Sequence, residues 1–184
     1  FIYEKLYGER LEVIDIRNVK QIGSVRQYTK KSCSREGLKI YHQYISDMVG
    51  DTPALTFKNL GGYFKNPIES MYFGNCSGYD GMKGQDMAVI GTPHRNPYEY
   101  FLTAKALGIE FNATDTSMTF QKIEHNGFGF KFNCFKHSEL RKIQLSFIES
   151  DLIQAVGRAR ILRTLANVDL YSNFPLSISE RFIF

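Results

Sequence analysis

Hydrophobic positions along the chain switch between two periods, and the switches outline its elements. Residues 11–16, LEVIDI, alternate and are rich in β-branched types, which predicts a strand. A second extended piece is expected at 22–29. Leu38, Tyr41, Ile45 and Met48 then recur at helical spacing, with Ser34 placed as N-cap and Gly50 as the stop. The apolar run 53–58 reads as a buried strand, 70–75 as another, and 86–91 (DMAVIG) as the cleanest of all. A loop at 92–97 leads into a helix over 98–107 that Gly108 closes.

The rhythm changes at 117–135. Two alternating runs, 118–125 and 128–135, flank Asn126-Gly127, the pair that a type I′ hairpin turn favours. A helix over 146–164, a strand over 167–171 and an exposed tail at 172–184 complete the expected order. Short buried strands alternating with helices imply an α/β fold built on a parallel sheet, with the hairpin inserted into it.

At 184 residues, with 43% hydrophobic and 23% charged side chains, the chain has the size and balance of a single globular domain. No stretch approaches the roughly 18 apolar residues of a membrane span, so no membrane is expected among its partners. Cys33, Cys76 and Cys134 stand far apart without CxxC spacing. Neither a zinc site nor a disulfide framework is predicted, and reduced thiols point to the cytoplasm. Beginning at Phe1 with no leader suggests a piece of something longer.

The net charge of +4 says less than its distribution. Arg17, Lys20, Arg26, Lys30, Lys31, Arg35 and Lys39 lie close together against Glu36, with Tyr28 and Tyr41 in or beside the run. Such a segment suits a phosphate backbone and stacked bases. The plainer reading is a solvated face that balances acids elsewhere.

The chemistry concentrates in Gln154-Ala-Val-Gly157-Arg158-Ala-Arg160. Glycine permits close backbone approach, and two arginines offer planar, permanently charged forks for phosphate oxygens. On a helix, Gln154 and Arg158 share a face, while Ile148, Leu152, Val156 and Ala159 can bury the other. This Q-x-x-G-R-x-R string resembles motif VI of superfamily 2 helicases. The resemblance implies that Gln154, Gly157, Arg158 and Arg160 reach across a cleft to ATP held by another lobe, with Arg160 as the arginine finger and Arg158 as a phosphate or interlobe contact. On an unbroken helix those two arginines would diverge by about 200°, so the helix must distort there or only one serves the nucleotide.

Gly78-Tyr-Asp-Gly-Met-Lys-Gly84-Gln-Asp86, running into the strand at 86–91, resembles motif V of the same family. By that resemblance Gly84 and Asp86 belong to the ATP cleft and Gly78 to the nucleic-acid contact. Thr56 and Lys58 sit where motif IV would place further phosphate contacts, and Thr92, His94 and Arg95 follow the next strand. The family fold is a RecA-like three-layer α/β sheet with helices on both faces, here carrying an inserted β-hairpin.

The sequence contains no GxxxxGK[ST] loop and no DExx stretch after a buried strand. The expectation is therefore half an active site: a C-terminal RecA-like lobe, inactive alone, whose ATP and Mg²⁺ are held mainly by an N-terminal lobe. DNA or RNA would be the track, with DNA favoured. The competing reading is a non-enzymatic nucleic-acid-binding module. A nuclease ranks last, because no carboxylates cluster at metal-ligand spacing and no metal site is predicted.

Overall fold

The structure is a computed structural model that describes residues 1–10, 12, 20–179 and 181–183, the last three as backbone. The strand expected at 11–16 therefore lies outside the described residues apart from Glu12, as does Arg17. The chain divides into two compact units, residues 1–18 with 94–148 and residues 19–93 with 149–184.

The second unit is built on a five-stranded sheet of β1 (Ser24–Tyr28), β2 (Ala54–Leu55), β3 (Met87–Ile90), β6 (Asn167–Tyr171) and β7 (Arg181–Ile183). Its order is β2-β3-β6-β1-β7 and every neighbouring pair is parallel. Residues two apart share a face, so Val25 and Gln27 line up with Val168 and Leu170 and with Met87 and Val89, all buried. On the opposite face Arg26 meets Asp169 through paired hydrogen bonds of 2.8 and 2.9 Å. Further along that face, Tyr28 stacks on Tyr171 with ring centres 4.5 Å apart.

Helix α2 (Arg35–Val49) begins where Ser34 accepts a hydrogen bond from the Gly37 N–H, and ends at Gly50. Its buried stripe is Leu38, Ile45 and Val49; Met48 turns outward instead. Four cations of the basic run meet groups within the chain itself. Arg26 pairs with Asp169, Lys39 with Glu36, Arg35 covers the Phe57 ring and Lys31 the Tyr41 ring.

Three expected elements differ. Residues 70–75 form no strand, because Gly74 at φ 91° folds the segment back so that the Asn75 N–H bonds to the Tyr72 carbonyl. The helix expected at 146–164 is α4 (Ser138–Val156): it starts soon after the hairpin and stops before the arginines. The described part of the segment expected as an exposed tail at 172–184 is no tail. Phe174 and Leu176 are fully buried, and β7 extends the sheet beyond β1. The buried Gln27 amide fastens the segment, donating to the Ser172 and Phe174 carbonyls and accepting from the Leu176 N–H and the Ser179 hydroxyl.

The first unit contains α1 (Ile2–Tyr7), α3 (Pro97–Ala106), the antiparallel hairpin of β4 (Met118–His125) and β5 (Phe128–Phe135), and the first part of α4. Asn126 and Gly127 take φ of 52° and 78°, the left-handed pair the hairpin turn requires. Tyr100, Ala104, Ile109, Phe135, Leu140 and Ile143 form its core. Among the described residues, no helix is long and apolar enough to cross a membrane.

Candidate functional site

Helix α4 is held to the interior by Leu152, Ala155 and Val156, all fully buried. At Gly157 the winding tightens into a 3₁₀ turn over Gly157–Ala159, and Arg160 follows in the left-handed conformation with φ 58° and ψ 40°. The helix thus breaks between Gln154 and Arg160, and the divergence of an unbroken helix does not apply.

The 78–86 turn lies directly against this break. The Gly84 N–H donates to the Ala159 carbonyl at 3.1 Å, and the Thr164 hydroxyl donates to the same oxygen at 2.9 Å. Arg158 donates to its own helix at the Gln154 carbonyl and to the Tyr79 carbonyl, each at 3.2 Å. Arg160 forms an ion pair with Asp80, and Gln154 donates to the Ser77 hydroxyl at 3.1 Å. Gly78 and Gly84 have φ of 73° and 75°, so the turn itself needs glycine there. Asp86 accepts from the Asn167 N–H at 2.7 Å, which joins the turn to the first residue of β6.

All these groups gather at the amino ends of β1, β3 and β6. Arg160 retains 42% of its side-chain exposure and Asp80 64%, so the ion pair faces solvent. The Arg160 guanidinium, by hydrogen bond and charge, holds the Asp80 carboxyl below its ordinary range. Beneath them burial pushes the Cys76 thiol up to about 11, against a smaller opposing pull from Arg158.

No protein-family model, curated protein or solved structure matches the chain. What the site can do therefore rests on its geometry and on the order of its segments.

The remaining candidates lie elsewhere. Thr56 is 3% exposed and donates to the Ile90 carbonyl, and Thr92 is 1% exposed and bonded to Ser172 and Asn173. Both hydroxyls tie together the carboxyl ends of β2, β3 and β6, the edge opposite the arginines. The 4 residues of β3 put roughly 13 Å of strand between the two edges. Lys58 leaves the carboxyl edge into a groove lined by Gly61, Gly62, Glu69 and Tyr72, its ammonium 5.5 Å from the Tyr72 ring centre.

His94 and Arg95 belong to the first unit. The His94 ring stacks on Phe132 and lies 3.3 Å from the Gln144 amide, while the Arg95 guanidinium covers Phe147 and pairs with Glu99. These contacts secure the base of the hairpin and the start of α3. Among the described residues, no His, Cys, Asp and Glu cluster could hold a metal ion.

Sequence reasoning missed Ser77, Tyr79 and Asp80 as the groups that orient Gln154, Arg158 and Arg160. The signals available in the sequence were an acid between two glycines in Gly78-Tyr-Asp-Gly81 and, far along the chain, the one segment with two arginines beside a glycine.

Proposed function

We propose that this chain is the second RecA-like motor lobe of an ATP-dependent helicase or translocase, with DNA the favoured track. In this reading the sheet and its helices form the three-layer family scaffold. ATP and Mg²⁺ sit mainly on a first lobe, and this chain adds Arg160 as the finger, with Gln154 and Arg158 as supporting polar contacts. A guanidinium placed where charge spreads over a transferring phosphoryl group stabilises it, and an arginine so placed accelerates hydrolysis by about 10³–10⁵.

One observation carries the reading. The two segments that resemble motifs V and VI, far apart in sequence, are bonded to each other at one edge of the sheet, where the helix breaks at Gly157. A conformational feature supports it. Among the described residues, Arg160 and the hairpin's Asn126 are the non-glycine residues with positive φ. Left-handed backbone at a non-glycine residue costs about 1–2 kcal/mol, and strain of this kind gathers at functional positions.

A non-enzymatic nucleic-acid-binding module is favoured by a different observation. Arg158 and Arg160 both have partners within the chain, as they would at the end of an ordinary surface helix. The paired substitution Arg158→Ala with Arg160→Ala in the longer protein separates the two. For a motor lobe, nucleic-acid-stimulated ATPase falls by about 10³ or more while oligonucleotide affinity changes only a few-fold. Weakened binding without an ATPase to lose would establish the module instead.

A further inference from the structure

We infer that the outward face of the β4–β5 hairpin binds single-stranded nucleic acid, with Phe120 stacking a base and Lys122 and Lys131 holding the flanking phosphates. The inference rests on the nucleic-acid half of the proposed function and does not require ATP.

Directly opposed residues of an antiparallel ladder share a face. Phe120 opposes Asn133, Lys122 opposes Lys131 and Glu124 opposes Gly129, so these six lie on one side. At the base of that side, Met118 and Phe135 turn into the core of the first unit. Further out, Phe120 is 76% exposed, and Lys122, Glu124, Gly129 and Lys131 are exposed as well.

Three features of this face work against the hairpin's own stability. The exposed phenylalanine forgoes burial. The two lysines repel across the ladder, with Cβ atoms about 5 Å apart. Gly129, the second residue of β5, is not demanded by the fold: its φ is not left-handed, and an added Cβ would meet nothing within 4 Å. The backbone there is open to close approach by a ligand.

Charge selects the occupant. A protein partner or second copy covering Phe120 would have to bury two like charges, which is costly without counter-ions. A nucleic-acid strand neutralises both lysines with its phosphates and covers the ring with a base, and Glu124 leaves the face net positive. The base of the hairpin is firmly held. Gln144, fully buried, donates to the Asn133 carbonyl and accepts from the Phe135 N–H, each at 3.1 Å. Gln121 donates to the Cys134 and Phe135 carbonyls.

The sequence contains no tryptophan, so Phe120→Trp places a single reporter on this face. Titrating the chain carrying Phe120→Trp with a 12-nucleotide thymidine oligomer should quench its emission, with anisotropy of a labelled oligomer measured alongside. In the otherwise unaltered chain, Phe120→Ala should weaken oligomer binding roughly five- to 150-fold. Lys122→Ala with Lys131→Ala should lower the slope of log affinity against log salt by about 1.4. Oligomer binding with unchanged emission, and with unchanged affinity in the alanine variants, would overturn the hairpin assignment while leaving the nucleic-acid reading intact. Absence of any oligomer binding would overturn both. A doubling of mass by light scattering that Phe120→Ala abolishes, without quenching, would give the face to self-association and overturn the proposal.

Discussion

At the scale of single residues, what an arginine contacts says more than its presence. Arg158 and Arg160 stand beside the same glycine, yet Arg158 is oriented by backbone carbonyls and Arg160 by a carboxylate. The sequence made the arginines conspicuous, but it could not show that Asp80 would face one of them, because a turn brings that pair together. The cysteines are simpler to place. Cys33, Cys76 and Cys134 are all buried, and burial raises the Cys33 thiol to about 12 and the Cys76 thiol to about 11.

In the unfolded chain those thiols lose their protons near pH 8.5. The folded state keeps them protonated well above that. Their contribution to stability is therefore complete below about pH 8.5 and is lost as pH rises toward the folded values. The urea midpoint should fall between pH 9 and 11, by more than Cys33→Ala with Cys76→Ala shows over the same range. At pH 8 the native thiols should react with a disulfide reagent only as fast as the chain unfolds; immediate reaction would contradict the burial.

At the scale of elements, local signals fared best where a cap or turn residue fixed the backbone. Ser34, Gly50, Asn126-Gly127 and Gly108 each end or start an element where the chain's chemistry said they would. Legibility failed where tertiary contacts decide. Nothing local distinguishes the segment after β6 from a tail; the Gln27 amide makes it structural, and that residue lies far away in the sequence. The end of α4 differs from the expected one for a related reason. Val156, Ala159 and Ile161 continue an apolar pattern past the glycine, but they stay buried through a 3₁₀ turn and a left-handed residue rather than another helical turn.

Gly157 offers a test at this scale. An added Cβ there meets nothing within 4 Å, and its φ is not left-handed, so the fold does not require glycine. Gly157→Ala should leave stability unchanged or raise it by about 0.5–1 kcal/mol. If glycine serves close approach by a nucleotide or a neighbouring lobe, the same substitution lowers the ATPase of the longer protein. Thermal unfolding and steady-state kinetics on one preparation separate the two effects, and an unchanged ATPase would remove Gly157 from the site.

At the scale of the molecule, the parallel α/β sheet and the hairpin were legible because buried strands, helices and alternating runs differ in period. The division of candidates between opposite edges of the sheet was not. Each segment was readable alone, but only the strand order places Asp86 and the arginines at the amino ends and Thr56, Lys58 and Thr92 at the carboxyl ends.

The most direct measurement of this account is nucleic-acid-stimulated ATPase of the isolated chain and of the longer protein, each with and without Arg160→Ala. The account predicts no turnover from the isolated chain. It predicts turnover from the longer protein whose kcat falls by about 10³ or more with Arg160→Ala, while oligonucleotide affinity is retained. Turnover by the isolated chain, or full kcat in the longer protein after Arg160→Ala, would contradict it.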